Sequence, residues 1–197
     1  HLATSLTGEP LMYPYIGELM EIAKHRDMTT FIVSNGTFPE RIERMGTLPT
    51  QFYLTLAGPD YRTWAQATNP LWNPRKQWEQ LNESLELLPT LNTRTVVRIT
   101  AIKNMNMRSP SKYARLIEKA EPNFISVKGY SHIGGARKRL NEENQPNMKQ
   151  VEHFAGELSN ETGWKIEEKV ERGRAVLLWD EQRERMIEER KYPSAKR

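Results

Sequence analysis

Charged side chains set among apolar ones mark where this chain can do chemistry. Glu9 sits between Gly8 and Pro10 at the end of a short apolar run, Arg98 lies inside "VVRIT", and Lys128 lies inside "FISVKGY". A carboxylate at a turn can accept from an ammonium or a hydroxyl. A guanidinium or an amine within an apolar strand is costly unless an anion meets it. Arg98 and Thr100 share one face of their strand, so Arg98 reaches either a bound carboxylate or a structural acid. A desolvated Lys128 has a lowered pKa and can hold an anion or form an imine with a ketoacid. From Glu121 to Glu142 no acid intervenes, while Lys128, Arg137, Lys138 and Arg139 all do. With Tyr130, His132 and the Gly134-Gly135 hinge, that stretch suits RNA phosphates and base stacking, or is a solvated basic loop.

These residues need a scaffold. Apolar runs at 2–6, 30–33, 51–56, 93–102 and 124–130 read as strands, followed by two more at 165–168 and 175–179. Helical periodicity predicts helices over 10–24, after Thr37-Phe38-Pro39-Glu40 (a capping-box pattern), after Asp60, around Leu81 and Leu85, after Ser109-Pro110, and over about 148–158. Strand alternating with helix is the pattern of a parallel sheet built from βα units, whose ligands collect at the carboxyl ends of the strands. Those ends read Thr7-Gly8-Glu9-Pro10, Ser34-Asn35-Gly36-Thr37, Ala57-Gly58-Pro59-Asp60, Lys103-Asn104 and Lys128-Gly129-Tyr130. Each alone reads equally as turn chemistry. Trp64, Trp72 and Trp78 read as packing residues.

Composition narrows the classes. The 197 residues carry 27% charged and 37% hydrophobic side chains, enough for one sizeable core. Mean hydropathy is -0.75, and no apolar run approaches the roughly 18 residues that cross a bilayer. Net charge is +4, a mild pointer to an anionic partner. There is no cysteine, so the chain itself offers no disulfide and no thiolate ligand for zinc or an iron–sulfur cluster. The scattered histidines make no metal site. Residues 1–180 read as the portion built from βα units and 181–197 as a charged helix or tail.

"SLTGEP" resembles the glycine-glycine-glutamate element of radical S-adenosylmethionine (SAM) enzymes, with Thr7 in place of the first glycine. In order, "SLTGEPLMYPYIGEL", "TTFIVSNGTFPERI", "LPTQFYLTLAGPD", "TRTVVRITAIKNMNM" and "ISVKGYSHIGGARKRL" resemble the tRNA 4-demethylwyosine synthase family over nearly all of the chain. The resemblance implies that residues 1–180 are part of a barrel, a partial (β/α)6 barrel or incomplete TIM-like fold of parallel strands with outer helices. It implies SAM and [4Fe–4S] clusters as cofactors, the cluster cysteines lying before His1, and a chain that is a portion of a longer, monomeric cytoplasmic protein and inactive by itself. The family reaction joins a two-carbon unit from pyruvate to N1-methylguanosine beside the anticodon of tRNA-Phe, using electrons from a flavodoxin- or ferredoxin-type donor.

Carried onto this sequence, the resemblance implies that Gly8, Glu9 and Pro10 meet the SAM ammonium. Ser34 and Asn35 would contact the cofactor at the next tip, Thr55 its ribose, and Arg98 with Thr100 its carboxylate or pyruvate. Lys128 becomes an anion-binding residue, the family's imine-forming lysine lying upstream. Tyr130, Arg137, Lys138 and Arg139 become tRNA contacts, although Gly135-Ala136 before Arg137 departs from the family pattern. Two other readings stay open: a Schiff-base aldolase-like barrel using Lys128, and a non-catalytic RNA-binding module.

Overall fold

The structure, a computed structural model, describes residues 1–5 and 8–183. Seven strands form one sheet in the order β1-β2-β3-β4-β5-β7-β6. They are β1 (Leu2–Thr4), β2 (Thr30–Ser34), β3 (Gln51–Thr55), β4 (Arg94–Ala101), β5 (Phe124–Gly129), β6 (Lys165–Val170) and β7 (Ala175–Trp179). The first five are parallel and adjacent in chain order. Helices α1 (Ile16–Lys24), α2 (Pro39–Glu43), α3 (Tyr61–Thr68), α4 (Pro74–Leu87), α5 (Pro110–Ala120) and α6 (Met148–Thr162) pack onto one side. Right-handed crossovers between sequential parallel strands place every helix on the same face, which is the winding of a barrel rather than of a doubly wound sheet. The expected partial barrel is therefore present, mostly parallel and open among the described residues. Its last two strands turn back as an antiparallel hairpin, β7 pairing with β5 and β6 lying outside it.

The pleat separates two environments. Ile32, Phe52, Leu54, Val97, Ile99, Ile125, Val127, Val176 and Leu178 join the helices in one continuous buried core. The alternate residues line the other face, and register sorts them into rows. Phe31, Gln51 and Arg94 form the row at the amino ends of the parallel strands, and Val33, Tyr53, Val96, Phe124 and Trp179 form the row above it. Next come Thr55, Arg98, Ser126 and Leu177, then Thr100, Lys128 and Ala175. The open face is polar toward the carboxyl ends, and at its base Arg94 donates to Gln51 at 3.3 Å.

Local chemistry overrode the sequence reading at three places. A helix over 10–24 does not form: a 3-10 turn covers Pro10–Met12 and α1 begins only at Ile16. Pro14 lacks an N–H and would clash with the carbonyl of Pro10, and Tyr13 before it is extended. The Thr37 capping box is absent because Thr37 donates to Asn35 Oδ1 at 2.7 Å; Phe38 is the N-cap of α2, with Pro39 at its first position. Trp72 is exposed rather than packed, whereas Trp64 and Trp78 do touch, ring centroids 5.6 Å apart. From residue 184 onward the expected charged helix or tail lies outside the described residues; the first strand, expected over 2–6, ends at Thr4, with Ser5 outside it and residue 6 not described.

Candidate active site

The carboxyl tips of β1 and β2 are joined by Glu9. Asn35 N–H donates to Glu9 Oε2 at 2.7 Å, and Leu11 N–H donates to Oε1 at 3.1 Å. Burial raises the Glu9 pKa above the usual carboxylate value, against the opposing pull of the Asn35 and Leu11 N–H groups and of Ser34. Both oxygens thus already accept from the protein, so Glu9 braces the tip as well as offering its remaining lone pairs. Gly8 makes the tip possible, with φ +79° and open space where a Cβ would stand. Pro10 opens the 3-10 turn behind it.

At the β2 tip, Ser34 is buried and its Oγ accepts from Gly36 N–H at 3.0 Å. Asn35 Oδ1 accepts from Thr37 N–H at 2.9 Å. The Ser34 side chain is therefore a turn element, while Asn35 is exposed and keeps its amide nitrogen free of described acceptors. The β3 tip is fixed by Gly58, where a Cβ would stand 2.4 Å from Trp64 N. Asp60 then caps α3, accepting from Thr63 N–H at 2.9 Å, and pairs with Lys112 at 2.8 Å. The Lys112 ammonium holds its pKa down at about 2.

Register brings Thr55, Arg98, Thr100 and Lys128 together on the open face, as the sequence predicted, and adds Ser126, which it missed. None of these side chains has a hydrogen-bond or ion-pair partner among the described residues. Burial lowers the Arg98 pKa, with Tyr53 opposing. Of the two alternatives for Arg98, the structural acid is absent among the described residues. Burial lowers the Lys128 pKa too, and the Arg98 and Arg174 guanidinium groups add to the effect. Arg174 was also missed, because nothing in "ERGRAV" indicates that the hairpin returns it to the tip of β5.

The basic stretch has a defined shape. A 3-10 helix covers Gly134–Lys138. Arg137 Nε donates to the His132 carbonyl at 2.9 Å, and Arg139 donates to the Ala67 carbonyl at the end of α3 at 3.2 Å. Arg137, Lys138 and Arg139 remain exposed. Tyr130 does not: it packs with Ala67, Ile102 and Leu140, and its hydroxyl lies 3.1 Å from His132 Nδ1. A ring so enclosed is a packing residue, which corrects its assignment to base stacking.

A sequence profile described as the radical SAM superfamily matches residues 2–117, more than half of the chain. The chain belongs to the radical SAM superfamily. A second profile, wyosine base formation, matches residues 119–180. The S-adenosyl-L-methionine-dependent tRNA 4-demethylwyosine synthase of Pyrococcus horikoshii is 44% identical over 182 residues, covering 90% of this chain and 53% of that protein. The enzyme of the same name from Methanocaldococcus jannaschii is 33% identical over 183 residues, covering 93% and 57%. A solved structure of TYW1 with a lysine-pyruvate adduct bound superposes with a TM-score of 0.83 at 32% identity, over 93% of this chain and 57% of that one. The chain spans about half the length of the curated relatives it matches.

Radical SAM enzymes use SAM and a [4Fe–4S] cluster. This chain has no cysteine, and no group of three or more metal-ligating side chains converges among its described residues. Its residues do not fit the cluster. They are compatible with SAM: Gly8 leaves open space at its tip, Asn35 offers an amide, and Thr55 offers an unpartnered hydroxyl.

Proposed function

We propose that this chain is the SAM- and substrate-binding part of a tRNA 4-demethylwyosine synthase, joining a pyruvate-derived two-carbon unit to N1-methylguanosine in tRNA-Phe. The observation that carries the reading is the division of the chain between two consecutive profiles. The SAM-tip residues 8–10, 34 and 35 fall in the first, and Lys128 and the basic 3-10 turn fall in the second.

Each residue then has a physical task. The Gly8 carbonyl accepts from the SAM ammonium, while Glu9 holds that tip against β2. Asn35 contacts the cofactor through its free amide, and Ser34 shapes the turn beneath it. Thr55 donates to a ribose hydroxyl. Arg98 and Thr100 face an anionic group of the ligands, and Lys128 provides a cation for a substrate anion. Arg137, Lys138 and Arg139 meet tRNA phosphates from outside the mouth. SAM, when bound, supplies hydrogen-atom abstraction. The cluster cysteines and the imine-forming lysine belong to residues outside this chain, and the electron donor is a flavodoxin- or ferredoxin-type protein.

The test is reconstitution of the full-length protein with tRNA-Phe bearing N1-methylguanosine, SAM, pyruvate and a reductant. Digestion of the tRNA should release 4-demethylwyosine. Deoxyadenosine without any change in nucleoside mass would overturn the assignment.

A further inference from the structure

The cations of the open face and those of the exterior turn are connected by Arg174. It precedes Ala175, the residue paired with Lys128, and its carbonyl accepts from Gly129 N–H at 2.8 Å. Its Nη2 donates to Ser131 Oγ at 2.7 Å and to the Tyr130 carbonyl at 3.3 Å. On the other side of the same turn, Arg137 donates to the His132 carbonyl. Residues 130–132 are thus held between two guanidinium groups.

Three features distinguish Arg174 from a mere latch. Its backbone is left-handed, φ +45°, an unfavourable state for a side chain of this size. Its Nε is buried and has no acceptor among the described residues, so the group is incompletely satisfied by the chain itself. It also stands close enough to Lys128 to depress that amine, with no described acid pairing either group. Cations brought together without acids repel unless an anion joins them. The continuity of charge from Lys138 and Arg137, over the rim, to Arg174 and Lys128 fits a polyanion that runs outside the mouth and sends one unit into it. A nucleotide whose base must be reached inside a barrel leaves its stack, and its phosphate then lies at the rim.

We infer that Arg174 and Lys128 form a rim clamp for a phosphodiester of the RNA nucleotide whose base enters the open face. This rests on the proposed function and extends it to a particular phosphate. The test uses the full-length reconstituted protein and an anticodon stem-loop RNA carrying N1-methylguanosine. Arg174→Gln should weaken RNA binding about 10-fold and reduce the slope of log affinity against log salt by about 0.7 to 1. Arg174→Lys should restore most of the slope. A neutral methylphosphonate linkage beside the methylguanosine should produce the same loss in the wild type and remove any further effect of Arg174→Gln.

Unchanged RNA binding would overturn the clamp, whether the variant raises KM for pyruvate, raises KM for SAM, or lowers only thermal stability. The binding readout is independent of turnover. A wild type that makes no wyosine yet shows the methylphosphonate coupling would sink the proposed reaction and leave the clamp standing.

Discussion

Glu9 Oε2 accepts the backbone N–H of Asn35 at 2.7 Å, fastening the carboxyl tip of β1 to that of β2. The same carboxylate accepts from Leu11, so one side chain ties the turn at residues 10–12 to the tip of β2, the two tips proposed to face SAM. Glu9→Ala would leave those N–H groups without their acceptor. It should destabilise the full-length protein by about 1–3 kcal/mol in denaturant titration. It should also raise KM for SAM, because the mouth loses its fixed width. Glu9→Gln keeps one of the two acceptor oxygens and should fall between Ala and wild type on both measures. An alanine variant of normal stability with weakened SAM binding would show instead that Glu9 acts on the ligand directly.

Gly58 tests how tightly the third tip is built. A Cβ there would stand 2.4 Å from Trp64 N, 2.7 Å from Trp64 Cα and 2.8 Å from the Thr63 carbonyl carbon, all backbone atoms that cannot swing aside. Gly58→Ala must displace the start of α3 and should cost about 1–3 kcal/mol or more. Gly8→Ala meets no atom within 4 Å and bears only the strain of its φ of +79°, about 1–2 kcal/mol. Equal losses in the two variants, measured as thermal midpoints, would contradict this ranking.

The strands and most helices were legible because their residues agree with one another locally. β4 is β-branched along much of its length, and α4 and α5 begin at prolines that suit a first turn. Pairing Arg98 with Thr100 on one face needed only the strand period. What could not be read depends on partners distant in sequence. Glu9 is not legible as a brace until Asn35 is placed beside it, and Tyr130 looks presented until Leu140 and Ala67 close over it. Arg174 becomes part of the site only because β7 returns antiparallel along β5. Thr37 shows the local limit: two capping partners were available, and Asn35, two residues away, took the hydroxyl.

Asp60 carries a predictable pH dependence. Its folded pKa is about 2 against an ordinary 3.8, held down first by Lys112 and then by Thr63. A carboxyl with a depressed folded pKa stabilises fully above its unfolded value and loses that contribution as pH falls from about 3.8 toward 2. The pair is partly exposed, so the contribution is small, below about 1 kcal/mol. Asp60→Asn keeps an N-cap acceptor and should change stability little at neutral pH, while flattening the acid limb. Asp60→Ala should cost about 1 kcal/mol at neutral pH through the lost cap. Urea midpoints collected from pH 2 to 7 separate the two effects, and an unchanged acid limb in Asp60→Asn would disprove the linkage.

Arg98 separates a ligand-facing charge from a structural one. No described acid pairs with it, and burial alone drives its pKa down. A half-buried cation without a partner stabilises nothing in the empty protein, so Arg98→Met should be neutral or stabilising by about 1 kcal/mol. The same variant removes a charge facing Lys128 and should raise the pKa of that amine toward its ordinary value. Chemical shifts of reductively methylated Lys128 report the change directly. Turnover should fall at least 10-fold, because an anionic group of the ligands loses its partner on the open face. If Arg98 were instead a structural residue, the methionine variant would melt earlier, and any fall in activity would follow the loss of folded protein. Higher stability together with lower activity is the signature that a structural role cannot produce.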